Sequence, residues 1–143
     1  MLIGEYQNLI DAKNRCIIPA KFREDLGESC ILTKGLDECL ILYPMSTWKR
    51  QQKSLEELPM ADKEARAFRR FIYANAFECE IDKQGRILIP ASLKESAGIE
   101  KELITIGMSD RVEIWGRESF ENSASGGQLS AESFADFSDK YQV

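Results

Sequence analysis

The sequence predicts a mixed α+β protein, rich in β-strands, that is built from two tandem copies of one small module. Three observations support this fold class: an internal repeat, short apolar runs that end at a proline, and short helical segments that end at a glycine. The chain has 143 residues, of which 43% are hydrophobic and 30% are charged, and this balance is typical of a globular protein.

The internal repeat defines the two modules. Residues 10–27 read IDAKNRCIIPAKFREDLG and residues 81–98 read IDKQGRILIPASLKESAG, so the two segments match at a constant offset of 71. After a one-residue insertion the match continues at an offset of 72. The repeat therefore predicts a first module over residues 5–47 and a second module over residues 76–119.

Each module is expected to run in the order strand, strand, helix, strand, strand. The predicted strands are runs rich in apolar and β-branched residues: Glu5–Ile10, Arg15–Ile18, Cys30–Thr33 and Cys39–Tyr43, then Phe77–Ile81, Arg86–Ile89, Leu103–Ile106 and Val112–Trp115. Pro19 and Pro90 should end the second strand of each module, because proline cannot donate to a sheet. The helices that follow should close at Gly27 and Gly98 with a left-handed backbone, and they span Ala20–Leu26 and Ala91–Ala97. Since one module is too small to bury much apolar surface, the two should pack as pseudo-twofold halves of one barrel-like core.

A helical connector is predicted over residues 48–75. The apolar residues with helical spacing before the break at Pro59 are Met45, Trp48, Leu55 and Leu58. Asp62 is the predicted N-cap of a second helix that runs to Tyr73. That helix has an apolar face of Ala65, Phe68, Phe71 and Ile72 and a basic face of Lys63, Arg66, Arg69 and Arg70. Two interpretations of the basic face stay open, a solvated surface or a contact with a subunit or DNA. The aromatic residues expected in the core are Tyr43, Trp48, Phe68, Phe71 and Trp115.

The C-terminal tail, residues 120–143, is predicted to be acidic and separate from the modules. The segment from Arg117 to Val143 has a net charge of −3, out of −5 for the whole chain. Residues 122–128 are rich in serine and glycine and predict a linker. We expect Leu129–Tyr141 to form either a frayed acidic helix or a mobile segment.

A doubled DxxxR motif carries the clearest functional signal. It reads Asp11-Ala-Lys-Asn-Arg15 in the first module and Asp82-Lys-Gln-Gly-Arg86 in the second. We name these segments loop 1 and loop 2. A three-residue turn between two strands favours a left-handed residue at its third position, and Asn14 and Gly85 stand there. We therefore expect two tight, similar, exposed loops.

Two interpretations of the loop arginines stay open. In the structural one, each Asp–Arg pair is a cross-strand ion pair that stiffens a hairpin. In the functional one, the aspartate orients the arginine, and the guanidinium is presented to phosphate or to guanine. The neighbouring residues, Lys13, Asn14, Lys83 and Gln84, add positive charge and amide donors.

Composition argues against several other classes of function. The chain has no histidine, which excludes a histidine general base and argues against a zinc site, and we expect no enzyme activity, metal or cofactor. Its cysteines, Cys16, Cys30, Cys39 and Cys79, lie in or beside apolar runs and are expected to be reduced and buried. We see neither a signal peptide nor a membrane-spanning run, and we expect a cytoplasmic protein.

The combined pattern of strand, DxxxR, strand, proline, helix and glycine resembles the swapped-hairpin modules of the AbrB/SpoVT regulators. Two such modules joined by helices that contain Asp62-Lys-Glu-Ala-Arg-Ala-Phe68 resemble the MraZ family. Gly4-Glu5-Tyr6-Gln7 and Gly35-Leu36-Asp37-Glu38-Cys39-Leu40 are similar to further signatures of that family. Many members have glycine where loop 1 has Asn14, and asparagine tolerates the same backbone.

The resemblance covers about residues 1–120 and implies a specific function. It implies a nucleoid-associated transcriptional regulator of the division and cell-wall gene cluster, including its own operon. The partners it implies are short, guanine-rich direct repeats of double-stranded DNA and further copies of the chain in an octamer-like ring. Arg15 and Arg86 would read DNA, with Lys13, Asn14, Lys83 and Gln84 as weaker candidates. The alternative function is a ring-forming interaction scaffold whose loops bind a protein partner, where the ring is again implied by the resemblance.

Overall fold

The order of the secondary-structure elements follows the predicted repeat. In the computed structural model, residues 1–123 and 130–143 are described and form eight strands and six helices. The strands are β1 Leu2–Leu9, β2 Arg15–Ile17, β3 Ser29–Lys34, β4 Leu40–Pro44, β5 Phe77–Glu80, β6 Arg86–Leu88, β7 Glu102–Ser109 and β8 Val112–Gly116. The helices are α1 Ala20–Leu26, α2 Met45–Glu56, α3 Lys63–Ala74, α4 Ala91–Ser96, α5 Arg117–Asn122 and α6 Ala131–Tyr141. The mixed α+β prediction is confirmed.

The predicted helix boundaries follow from local signals. Pro19 and Pro90 stand directly before α1 and α4, and the strands before them end two residues before the proline. Gly27 and Gly98 both have positive φ, 76° and 63°, as their position after a helix requires. Asp62 caps α3, since its carboxylate accepts hydrogen bonds from the N–H groups of the first turn.

The tail is partly described. Residues 124–128 of the predicted linker lie outside the described residues. The expected acidic helix is present as α6, and none of its residues is buried. Within the described ranges, no helix is both long enough and apolar enough to span a membrane.

The strands of the two repeats interleave in one sheet. Its order is β1-β7-β8-β4-β3-β5, which reads the same from either end when each strand is exchanged for its repeat equivalent. A separate two-stranded ribbon pairs β2 with β6, with Cys16 directly opposite Ile87 at its centre. The predicted pseudo-twofold relation is therefore present, while closure into a barrel stays a prediction.

The expected local hairpin between the first two strands of each repeat was wrong. β1 pairs with β7 of the other repeat, and β2 pairs with β6. Among the described residues, a single bridge between Ile10 and Cys16 is what remains of the first hairpin. The physical reason is that a three-residue strand gains little from a local partner, whereas exchange between repeats gives both sheets a shared core.

The main core lies between the ribbon, α1 and α4 on one side and the large sheet on the other. Its fully buried members come from both repeats and include Ile18, Phe22, Leu32, Ile89, Leu93 and Ile114. Because each repeat supplies about half of this apolar surface, neither should hold its loop in place without the other.

A second cluster covers the opposite face of the large sheet. Tyr43, Trp48 and Trp115 are buried there, which confirms the expectation for these three aromatic residues. Phe68 and Phe71 on α3 are 44% and 40% exposed, so the expectation that they lie in the core was wrong for the single chain. The helix packs through Ile72 and leaves these two rings at the surface.

Candidate nucleic-acid interface

Loop 1 is a tight turn organised by one aspartate. The N–H of Asp11 donates to the carbonyl of Arg15 at 2.8 Å, and the N–H of Asn14 donates back to the carbonyl of Asp11 at 3.0 Å. The Asp11 carboxylate Oδ1 accepts from the N–H groups of Lys13 and Arg15, both at 2.9 Å. Asn14 has a φ of 61°, as the sequence predicted for this position.

Loop 2 repeats this geometry almost atom for atom. The backbone N–H groups of Gln84 and Arg86 donate to Asp82 Oδ1 at 2.9 and 2.8 Å. Gly85 takes the left-handed position with a φ of 78°. The prediction of two tight, similar loops is confirmed.

Each loop arginine is fixed at one end of its guanidinium group. Arg15 Nε donates to Asp11 Oδ2 at 3.0 Å, and Arg86 Nε donates to its own loop aspartate at 2.9 Å. The terminal Nη1 and Nη2 of both arginines have no hydrogen-bond partner among the described residues. Because the aspartate occupies the inner edge, the outer edge of each guanidinium can bind a ligand while the ion pair is kept.

The ribbon places both arginines on one surface. Arg15 pairs with Leu88, and Ile17 pairs with Arg86, so these four side chains share the face opposite to buried Cys16. Strand rise and spacing put the Cα atoms of the two arginines roughly 8 Å apart. Ile17 and Leu88 are 52% and 56% exposed, so this face is open to solvent.

The weaker candidates surround these arginines. Lys13, Lys83 and Gln84 are exposed, and Asn14 is half-buried. Each loop carries two cations and one carboxylate, which makes it a local basic site within a chain of net charge −5.

The loop carboxylates are held ionised by the turn itself. The backbone N–H of Arg15 is the main cause that lowers the pKa of Asp11 below its ordinary value of 3.8. The backbone N–H of Arg86 lowers the pKa of Asp82 in the same way. Each carboxylate is therefore charged at neutral pH and orients its arginine as an ion pair.

Two further cations, which were not predicted from the sequence, lie against the loops. Lys94 Nζ, on α4, donates to the side-chain oxygen of Asn14 in loop 1 at 3.0 Å. Arg23, on α1, donates through Nε to the carbonyl of Ile18 at 2.9 Å, and its guanidinium covers Gly85 in loop 2. Arg23 and Lys94 are repeat equivalents at the offset of 71, so the alignment carried a signal for them.

The cysteines are buried, as expected, and the side chain of Cys16 lies on the inner face of the ribbon, opposite this surface. Burial raises the pKa of Cys16 to about 12, and the Cys30 thiol, 3.5 Å from Cys79, raises the pKa of Cys79. Burial likewise raises the pKa of Cys39, so Cys16, Cys39 and Cys79 are thiols at neutral pH. Within residues 1–123 and 130–143, no cluster of acidic or cysteine side chains has the arrangement of a metal site.

Comparison with known proteins gives one consistent family. Residues 1–71 and 72–141 each match the model of the MraZ protein, a family described as antitoxin-like. A transcriptional regulator MraZ from Thermoanaerobacter sp. (strain X514) is 54% identical over 143 residues, which is 100% of both chains. The protein of that name from Caldanaerobacter subterraneus subsp. tengcongensis is 52% identical over 100% of both chains, and that from Acetivibrio thermocellus is 53% identical over 95% of both. The solution structure of PHS018 from Pyrococcus horikoshii aligns over 80% of this chain and 88% of its own at 14% identity, with a TM-score of 0.31 that supports no inference.

Proposed function

The chain belongs to the MraZ family, and we propose on that premise that it is a sequence-specific DNA-binding transcriptional regulator. The observation that carries the proposal is the ribbon surface, on which Arg15 and Arg86 each present a guanidinium edge without a protein partner among the described residues. Two arginines fixed in the same way on one open face suit recognition of a repeated chemical pattern.

The geometry matches a known way of reading DNA. The major groove is about 12 Å wide and admits a two-stranded β-ribbon, and arginine binds guanine O6 and N7 through two parallel hydrogen bonds. A guanidinium already oriented through Nε loses less freedom on binding than a mobile one. In this proposal Arg15 and Arg86 contact guanines, while Lys13, Asn14, Lys83 and Gln84 contact phosphates or neighbouring base edges.

Family membership supports a more specific role. We infer that the chain binds short, guanine-rich direct repeats upstream of the division and cell-wall gene cluster, which includes its own operon, and is nucleoid-associated in the cytoplasm. Each loop carries only two cations against one carboxylate, so a single loop should bind DNA weakly. Assembly into a ring would bring several loops to the same DNA. When several subunits bind successive repeats, each bound loop raises the effective concentration of the next, and weak sites combine into tight binding.

Exposed apolar side chains support self-association. On α3, Phe68 and Phe71 are exposed beside a basic face, and on acidic α6, Phe134 and Phe137 are 64% and 57% exposed. Exposed aromatic groups of this kind are typical of protein contacts. The opposite charges of the two helices would favour a contact between subunits.

The decisive experiment measures binding to the DNA upstream of the gene. Fluorescence anisotropy is recorded for the wild type, Arg15→Ala and Arg86→Ala at two salt concentrations, and oligomeric state is checked by light scattering. Loss of one bidentate contact should cost about 1–3 kcal/mol per site, and wild-type binding should weaken steeply with salt. Wild-type chain that shows no salt-sensitive binding to any upstream repeat would remove the proposal.

The second candidate function is a ring-forming scaffold for a protein partner. Exposed Phe68 and Phe71 on α3 favour it, because such a surface suits a protein better than DNA. Under this alternative, Phe68→Ser and Phe71→Ser would abolish binding of the protein partner, while Arg15→Ala and Arg86→Ala would not.

A further inference from the structure

Each loop is supported by a cation from the opposite repeat. Arg23 stands eight residues after Arg15 in the chain, yet its guanidinium covers loop 2. A Cβ atom built on Gly85 would meet the guanidinium carbon of Arg23 at 2.1 Å, and Gly85 is buried beneath it. Lys94, which follows loop 2 in the chain, contacts loop 1 through Asn14. Each of these two cations is therefore near one loop in the sequence and in contact with the other loop in space.

Each helix cation reaches the loop of the other repeat because β2 pairs with β6 in the ribbon. The N–H of Ile18 donates to the carbonyl of Gly85, and the N–H of Ile89 donates to the carbonyl of Asn14, both at 2.8 Å. These two bonds bring the start of each repeat's helix next to the loop of the other repeat. The helix cation then reaches across the ribbon, and the contact is fixed by backbone geometry.

The two supports differ in their chemistry. Glycine in loop 2 leaves room for the broad arginine guanidinium, whereas asparagine in loop 1 fills that room and offers an amide oxygen to the smaller lysine ammonium. The residue types on the helix and on the loop thus match across the repeats.

We propose that Arg23 is a positioning residue for Arg86, and Lys94 a positioning residue for Arg15, so that each DNA-reading unit combines a loop of one repeat with a helix of the other. The proposal rests on the proposed DNA-binding function. Arg23 covers the residue directly before Arg86, and Lys94 holds the residue directly before Arg15. A change in either support alters the direction from which the adjacent arginine leaves the turn.

The first test needs no DNA. Amide hydrogen exchange is compared for the wild type, Arg23→Ala and Lys21→Ala, the last being a matched control that removes an exposed cation from the same helix. Arg23→Ala should raise exchange at Gln84 and Gly85 and leave Lys13 and Asn14 unchanged. Lys21→Ala should change neither loop. Equal effects of Arg23→Ala on both loops, or none on loop 2, would overturn the assignment.

The second test measures coupling on upstream DNA that the wild type binds. Arg23→Ala alone should weaken binding about threefold or more, because Arg86 would lose part of its orientation. Added to Arg86→Ala it should have little further effect, whereas its effect should multiply with that of Arg15→Ala. Lys94→Ala should show the reverse preference. Arg23→Ala effects that multiply with both loop arginines would refute a positioning role, while failure of the wild type to bind would refute the proposed function instead.

Exchange of the supports gives a rescue experiment. Gly85→Asn displaces the flexible end of Arg23, so this variant should fold normally and lose affinity as Arg23→Ala does. The double change Gly85→Asn with Arg23→Lys recreates the pair of loop 1 and should recover most of the lost affinity. If the double variant binds no better than Gly85→Asn alone, matched support across the repeats is wrong.

Discussion

Cys16 and Ile87 face each other at the centre of the β2–β6 ribbon, and each is at most 2% exposed. They are repeat equivalents and mark the pseudo-twofold position. Their side chains anchor the inner face of the ribbon whose outer face carries Arg15 and Arg86. The same three-residue pairing of β2 with β6 therefore sets both the apolar contact beneath the ribbon and the positions of the two arginines on its outer face.

Truncation of Ile87 should therefore affect both loops. We expect Ile87→Ala to lower the free energy of unfolding by about 2–5 kcal/mol, through lost apolar burial and the cavity left behind. Urea denaturation measures this loss. Leu88→Ala is the matched control, since Leu88 is 56% exposed on the other face and should cost no more than about 0.5 kcal/mol. Equal costs for the two variants would contradict the orientation of the ribbon.

Gly107 should be needed for the pairing of β1 with β7. A Cβ atom at this position would lie 2.4 Å from the backbone N of Ile3 and 2.5 Å from the carbonyl carbon of Leu2, and neither backbone atom can easily move. We expect Gly107→Ala to cost about 1–3 kcal/mol and to raise amide exchange along β1. Met108→Ala, at the exposed neighbouring position, is the control and should leave β1 protected. Normal β1 protection in Gly107→Ala would show that this close approach is not required.

The two kinds of loop cation should have different effects on DNA binding. Lys13→Ala and Lys83→Ala should weaken binding to all sequences alike. Each should lower the slope of log affinity against log salt concentration by about one, because fewer counterions are released when one phosphate contact fewer is formed. Arg15→Ala should instead reduce discrimination between the specific and a scrambled repeat. Lys53→Ala, at an exposed position of α2, serves as the charge control. If Lys13→Ala reduces discrimination as strongly as Arg15→Ala, the division into phosphate and base contacts is wrong.

Acid should protonate the two loop aspartates and remove the stability that they contribute. The pKa of Asp11 and of Asp82 is lowered in the folded chain, mainly by the backbone N–H groups of Arg15 and Arg86. The stability they contribute is therefore complete above the unfolded value, about 4, and is lost as the pH falls through the lower folded values. The difference in urea midpoint between the wild type and Asp11→Asn/Asp82→Asn should be constant near neutral pH and shrink below about pH 4. A difference that grows in acid would reverse the sign of this linkage.

Removal of the tail should preserve DNA binding. Residues 124–143 carry three carboxylates and one lysine, and the described helix α6 buries none of its residues. A chain that ends at Ser123 should bind upstream DNA with equal or higher affinity, because net negative charge is removed. Its oligomeric state is measured in parallel by light scattering. A truncated chain that keeps its assembly but loses DNA binding would place the tail at the interface.

The sequence by itself determined the local structure of both loops. The doubled DxxxR motif, with Asn14 and Gly85 at its left-handed positions, predicted the turn shape, because these two residue types adopt positive φ at low cost. The prolines and glycines around α1 and α4 likewise predicted where these helices begin and end. Such signals are local, so a short segment carries all the information needed.

Only the tertiary structure decided which strands pair and what supports each loop. The short DxxxR spacing favoured pairing within a repeat, but the identical strand pattern of the two modules also allowed pairing between repeats. The choice depends on burial of a shared core, to which Phe22 of one repeat and Leu93 of the other both contribute. That same exchange brings Arg23 to loop 2 and Lys94 to loop 1, over separations that no local sequence pattern encodes.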